Sequence, residues 1–359
     1  MYYHSNRLRN RLPQPIAKNP LGDYSLIRIK DIAERSGVSV TTVSHVLNKS
    51  RYVHPDTEAR VQKVVAELNY RPNMLARSLR RHETHTIGLL VSDISNKYFT
   101  DVARAVETTA YEHGYNMILC NTNEDPAKEA LYFDVLMSKQ IDGLIIAPAR
   151  GEHSFIGRQV QDGTYVVLVN RCLEGIATPA VICDDEDAAF KMIDLLITAG
   201  HRRIGAIIGV EGVSTTNARL QGLQRAAEKH HLSPSDLWIY PGQSRQEGGY
   251  LAAQEIIRMG NRPSCVMAFN SVMLDGFLLG LADNAPHLLQ EIEFTSFGFS
   301  QLGRVFRPGA YYIDQPARLV GMTAAKLLLD VLTGATLWNT DTIMLQNTIA
   351  QFLPATPQE

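Results

Sequence analysis

Apolar residues follow one period up to about residue 70 and a different one from Thr86 onward. In the first stretch the spacing is helical. A short helix is predicted from about Lys30 to Ser36. Gly37 after it suits a left-handed turn that a Cβ would resist. Ser39 has the chemistry to cap a second helix, its hydroxyl facing free backbone N–H groups. Along that helix Val43, Val46 and Leu47 fall at i, i+3, i+4 and form an apolar stripe. A third helix is predicted from Pro55, with Val61, Val64, Val65 and Leu68 at the same spacing. Two helices around a tight turn, backed by a third, make a helix-turn-helix unit.

From Thr86 strand-length apolar runs alternate with helical patterns: Ile87–Val91, Asn116–Cys120, Gly143–Ala147, Val166–Val169, Val181–Cys183, Ile204–Ile208, Trp238–Tyr240, Val266–Phe269 and Glu293–Phe297. Intervening helices are predicted at Thr100–His113, Lys128–Gln140, Ala188–Ala199, Arg219–His231, Tyr250–Met259 and Val272–Leu281. That alternation predicts parallel sheets covered by helices, an α/β body. So many strands exceed one small sheet, and two lobes are the expected division.

Charge divides the chain in the same place. The first 82 residues hold 15 Lys and Arg against 6 Asp and Glu, and the rest hold 20 against 31. A near-neutral total of −2 thus conceals a basic head and an acidic body. Such a split implies a polyanion partner at one end only. On the second helix Ser39, Val40, Thr41, Thr42, Ser44, His45 and Asn48 lie off the apolar stripe, and most are short polar groups that can approach base edges. Residues 1–26 mix arginines with prolines and are read as a disordered basic arm. After Tyr70 and Pro72, Asn73 is placed to cap a helix of about two turns carrying Ala76, Arg77, Leu79 and Arg80. A helix that short is expected to order only on a partner, with arginines at phosphates and an apolar side chain wedged between base steps.

These residues resemble the LacI/GalR family of transcriptional repressors. The similarity is carried by Val43-Ser44-His45-Val46, Asn48-Lys49, Arg51 and Ala76-Arg77-Ser78-Leu79, and it extends in type over residues 29–359. It implies that Thr41, Thr42 and His45 read bases in the major groove of double-stranded DNA. It implies that Leu79 intercalates at the centre of a palindromic operator with Ala76 beside it. Val40 departs from the family's frequent polar residue there. The implied architecture is a helix-turn-helix domain (27–72), a hinge helix and linker (73–84) and a body of two Rossmann-like lobes (85–359), with crossovers near Asp184, Gln315 and Ile343.

In open parallel sheets ligands gather beyond the carboxyl ends of strands. Those ends carry Ser92, Asp93, Asn170, Arg171, Asn270, Ser271, Phe299 and Ser300. The resemblance adds Tyr98 and Phe99 as an aromatic pair lining an effector cleft, and Arg219, preceded by Thr215, as a ligand clamp. Most relatives place Asp where Ser271 and Ser300 stand. Without those carboxylates an anionic effector is easier to accommodate, so within the expected class of sugar, sugar phosphate or sugar acid the serines favour a sugar phosphate, sugar acid or similar polar metabolite over a plain neutral sugar.

The competing readings are weaker. No P-loop, GxSxG or HExxH motif supports an enzyme. His82-Glu83-Thr84-His85 has the wrong interior spacing for a zinc protease. Asp184-Asp185-Glu186-Asp187 reads as caps and negative charge at a helix start. Neither a metal nor a cofactor is expected. The four cysteines are widely spaced and are read as free thiols. A transport binding protein would need an export signal, and a basic head stands there instead. No run is long and apolar enough for a bilayer, so a cytoplasmic, nucleoid-associated location is expected. One head reads a half-site, so a homodimer is expected on a palindrome. No leucine heptad at 351–359 points to a tetramer. A regulator with a purely structural core remains the main alternative, and next to it one that needs a corepressor.

Overall fold

The computed structural model describes residues 27–70 and 83–353. Contacts divide the chain into two compact units, residues 1–81 and residues 82–359.

Among the described residues of the first unit three helices form: α1 (Ile29–Ser36), α2 (Val40–Asn48) and α3 (Pro55–Glu67). Gly37 closes α1 in the left-handed region at φ 67°. The Ser39 hydroxyl accepts the Thr42 N–H at 3.0 Å and so caps α2. Pro55 opens α3 at a position where its missing N–H costs nothing. Ile32, Ala33, Val43, Val46, Val61 and Val64 are buried together, with Leu47, Val65, Leu68 and Tyr70 packed around them.

Among its described residues the second unit has twelve strands, in two lobes. Lobe one is a six-stranded parallel sheet in the order β11-β5-β4-β3-β1-β2. Its strands are β1 (Thr86–Val91), β2 (Asn116–Asn121), β3 (Gly143–Ile146), β4 (Tyr165–Val169), β5 (Ala180–Cys183) and β11 (Thr342–Leu345). Alternate residues of β1 explain the layering. Ile87, Leu89 and Val91 face a core shared with helices Lys97–Glu112 and Ala317–Leu332. Leu90 faces the opposite core, shared with helices Pro126–Ser138 and Ser154–Gln161. A sheet covered on both faces needs such near-continuous apolar strands.

Lobe two has a four-stranded parallel sheet in the order β7-β6-β8-β9 and an antiparallel ribbon of β10 and β12. The strands are β6 (Ile204–Ile208), β7 (Leu237–Pro241), β8 (Cys265–Ala268), β9 (Glu293–Ser296), β10 (Tyr311–Asp314) and β12 (Thr348–Gln351). Helices Gln246–Arg258 and Ser271–Asn284 approach closely because Gly249 and Gly276 lie between them. A Cβ on Gly276 would sit 1.9 Å from the Gln246 carbonyl oxygen.

Nine strands lie where the apolar runs predict them. Helices begin earlier than their apolar residues do, because polar caps precede them. Asn96 caps Lys97–Glu112, and Asp125 with Pro126 starts Pro126–Ser138. The chain crosses between lobes at Asp184, at Gln315 and at Gln346–Asn347. The third crossing falls three residues beyond Ile343, which is itself inside β11 and pairs with Val181. Asp184 is also not a side-chain cap: its carboxylate accepts the Asn347 N–H at 2.6 Å.

Candidate functional site

On the head, helix α2 carries the polar side chains that the sequence singles out. Thr41 and Asn48 are exposed, and Thr42, Ser44 and His45 are partly exposed. Val40 is also exposed, at the helix N-terminus. Neighbours hold several of these in place. The Asn48 amide donates to the Ser44 carbonyl at 2.8 Å, and His45 Nδ1 lies 2.9 Å from Ser50 Oγ. The Ser39 and Thr42 hydroxyls are 2.8 Å apart. Such mutual bonding fixes rotamers, which base readout needs. Arg51 is exposed just beyond, beside Tyr52, an aromatic ring 87% exposed that sequence reasoning passed over. Tyr70 packs against the small core. Asn73, Ala76, Arg77, Leu79 and Arg80 lie outside the described residues.

In the body a cleft opens between the lobes where the strand order reverses, at β1/β3 and at β6/β8. Asp93, Tyr98, Phe99, Asn170 and Arg171 line it from lobe one, and Thr215, Arg219 and Asn270 from lobe two. Four expected residues are not among its walls. Ser92 is fully buried. Ser271 opens the helix after Asn270. Phe299 packs edge-on against Tyr312 and Phe352. Ser300 accepts the Gly303 N–H at 2.7 Å and donates to the Asp275 carboxylate.

Two buried guanidinium groups dominate the cleft. Arg171 meets Glu124 through both Nη atoms and donates to the Pro148 carbonyl at 2.7 Å. Arg219 meets Asp185 through Nε at 2.9 Å and Nη2 at 2.6 Å. It also donates to the Phe269 carbonyl and lies 3.8 Å from the centre of the Phe297 ring. Burial pushes the Asp185 carboxyl up, against the pull of Arg219 and the Asn347 amide. Burial likewise raises the Tyr98 phenol well above its usual range. Glu124, Asp185 and Gln315 were not among the residues expected from strand ends. Glu124 sits in a left-handed turn after β2, and Gln315 is on a crossover.

Three buried polar atoms in the cleft wall have no hydrogen-bond partner among the described residues: Tyr98 Oη, Arg171 Nε and Gln315 Nε2. Each can donate, and an unmet buried donor costs about 1–3 kcal/mol. The free space among these side chains is about 40 Å³, room for a few waters. A typical ligand pocket has roughly 300–1,000 Å³, so in this arrangement the cleft is too tight for a metabolite. Among the described residues no cluster of acidic, His or Cys side chains is arranged to hold a metal. No helix there is long and apolar enough to cross a membrane.

Comparison with known proteins places both units. Residues 28–73 match the family described as bacterial regulatory proteins, lacI family. Residues 84–351 match periplasmic binding proteins and sugar binding domain of LacI family. The HTH-type transcriptional repressor PurR of Edwardsiella ictaluri is 33% identical over 308 residues, 85% of this chain and 90% of that protein. A structure titled as a putative ribose operon repressor from Burkholderia thailandensis covers 74% of this chain and 98% of its own, at TM-score 0.65 and 28% identity. The lac repressor dimer bound to operator and the anti-inducer ONPF covers 92% of this chain and 99% of its own, at TM-score 0.78. At 20% identity that last likeness is one of fold. This chain belongs to the LacI family: it is a DNA-binding transcriptional repressor with a helix-turn-helix head and an effector-binding body.

Proposed function

We propose that the chain represses a carbohydrate or related metabolic operon and is controlled by a small polar metabolite held between the lobes. As a homodimer it reads a palindromic operator. Thr41, Thr42 and His45 contact bases, and Ser39, Ser44, Asn48 and Arg51 contact flanking groups. Residues 73–80, which lie outside the described residues, enter the minor groove with Leu79.

The observation that carries the sensing role is the set of three unmet donors, Tyr98 Oη, Arg171 Nε and Gln315 Nε2, facing one interlobe cleft. A purely structural core gains nothing from buried donors left unpaired. A ligand rich in acceptor oxygens, such as a sugar, sugar phosphate or sugar acid, satisfies all three and stabilises the lobes in one arrangement. Differential binding to open and closed forms then shifts operator affinity, typically by about 1–3 kcal/mol.

The test is calorimetry of the full chain against a panel of sugars, sugar phosphates and sugar acids, followed by operator binding with each ligand found. Binding that Tyr98→Phe and Gln315→Leu both weaken supports the reading. A panel with no binder, together with operator affinity unmoved by cell extract, leaves the structural core as the better account.

A further inference from the structure

One large side chain of the head takes no part in its packing. Tyr52 is 87% exposed, more than any other Phe, Tyr or Trp among the described residues. The small core leaves it out.

The backbone on either side of it is nonetheless pinned. Lys49 closes α2 in the left-handed region at φ 48°. The Ser50 N–H donates to the His45 carbonyl at 3.3 Å, and Ser50 Oγ lies 2.9 Å from His45 Nδ1. Val53 packs against the head core, and His54 occupies the N-cap of α3. Tyr52 stands between these anchors. Its ring projects from a fixed turn rather than a loose loop, so little backbone freedom is lost when a partner covers it.

Its place relative to α2 decides what it can meet. Two residues of backbone span at most about 7 Å, so Tyr52 stays close to Ser50 and, through it, to His45. A helix that reads bases sits in a major groove about 12 Å wide and about 8.5 Å deep. A side chain rooted beyond the C-terminal end of that helix meets the groove wall, which is deoxyribose and phosphate. The local charge suits such a wall. Lys49 and Arg51 are exposed, and no acidic residue lies between Glu34 and Asp56 in the sequence. A phenol fits it as well, with an O–H for a phosphate oxygen and an apolar ring for the sugar.

We propose that Tyr52 is a contact to the operator backbone: its hydroxyl donates to one phosphate oxygen and its ring lies against the neighbouring deoxyribose. This rests on α2 entering the major groove with His45 at the bases. Phosphate contacts position a protein without selecting a sequence, so Tyr52 contributes affinity where His45 contributes selectivity.

The probe is a duplex that the full chain itself selects from a random-sequence pool, with an unselected duplex of equal length as reference. Anisotropy compares the parent with Tyr52→Phe, Tyr52→Ala and His45→Ala. Tyr52→Phe keeps the ring and should weaken binding to both duplexes roughly tenfold, and Tyr52→Ala roughly tenfold again. Both should keep the parent's salt dependence, because a hydroxyl releases no counterion, whereas Arg51→Ala should lower the slope by about one. The exposed ring carries no packing, so the head's urea midpoint should not move in either Tyr52 variant. Replacing each phosphate of the selected duplex in turn by an uncharged methylphosphonate locates the partner. At one position in each half-site the loss should be shared: the methylphosphonate weakens the parent and adds little to Tyr52→Phe. Tyr52→Ala binding both duplexes as tightly as the parent overturns the contact. Losses that multiply at every phosphate overturn it too, as does a loss confined to the selected duplex, which would make Tyr52 a base reader. His45→Ala checks the underlying reading separately. Equal losses on both duplexes would remove base reading by α2, while the methylphosphonate cycle judges Tyr52 on its own.

Discussion

The Asp185–Arg219 pair gives the sharpest prediction. Asp185 is 4% exposed and the Arg219 side chain 8% exposed. Asp185→Asn keeps the shape but leaves Arg219 charged, buried, and held by one carbonyl and the Phe297 ring. Breaking a buried ion pair by removing one partner costs about 3–5 kcal/mol. For a unit of this size 1 kcal/mol moves the melting midpoint by roughly 2–4 °C. The body transition should therefore fall by on the order of 6–20 °C. Replacing both members, Asp185→Asn with Arg219→Met, removes the stranded charge and should recover at least ~2 kcal/mol of the summed single losses. Arg219→Met alone adds a pH signature. Burial already lifts Asp185 above its unfolded value, and loss of Arg219 removes the main opposing charge. The unfolded state then releases its proton at lower pH than the folded state does. The variant's deficit against the parent is smallest at the acid end and grows as pH rises through the carboxyl's elevated folded pKa. Calorimetric melts of the four proteins from pH 5 to 8 measure all of this. Additive single losses with no pH trend would refute the coupled buried pair.

The other predictions concern the head and the tight helix contact of lobe two. His45→Ala should cost about 1–3 kcal/mol on the cognate operator and little on random DNA; fluorescence anisotropy on both would show it, and equal losses would remove His45 from base reading. Gly37→Val puts a β-branched side chain at φ 67° with open space around it, so the penalty is conformational, about 1–2 kcal/mol, seen as a lower urea midpoint for the head. Gly276→Ala forces a Cβ to within 1.9 Å of the Gln246 carbonyl oxygen. Overpacking of this kind costs about 1–3 kcal/mol or more, and lobe two should melt earlier while α1–α3 are unaffected.

What the sequence made legible follows from how local each signal is. Ser39, Gly37 and Pro55 act within four residues of themselves, and the head could be read almost completely from them. Strands β1 to β9 are apolar runs, and parallel pairing requires that, so they too were visible. Strands β10, β11 and β12 were missed because few of their residues are buried, with Met344 of β11 61% exposed. Their pairings, β11 with β5 and β12 with β10, are distant in sequence. The cleft was legible only where its residues end strands or repeat a family motif. Glu124, Gln315 and Asp185 are placed by tertiary closure. Asp185 looked like helix-start charge until the fold brought Arg219 across from a helix that starts 29 residues later. Ser271 and Ser300 show the converse. They follow strand ends as expected, yet the chain turns each of them into a helix start or cap.

Asn347 ties this buried pair to the crossover between lobes. Its backbone N–H binds Asp184 and its side-chain amide binds Asp185 Oδ1 at 3.0 Å. The carboxylate that holds Arg219 in the cleft is thus also a partner of the segment that must bend when the lobes part. Opening the cleft and loosening this crossover are then coupled, because both draw on the same two acidic side chains. Asn347→Ala removes the amide and leaves the Asp185 oxygen without that donor. A hydrogen bond to a charged group is worth about 1.5–3 kcal/mol. Part of this is offset, since Asn347 Oδ1 is itself buried without a partner among the described residues. Even 1.4 kcal/mol is about a tenfold change in an opening equilibrium. Native-state hydrogen exchange reads that equilibrium amide by amide. The backbone N–H of Asp184, bonded to Leu345, and that of Asn347 should exchange at least tenfold faster in the variant, while amides of β1 and β3 keep their protection. Uniform acceleration across both lobes would mean that Asn347 supports global stability alone, and the proposed link between cleft and crossover would fail.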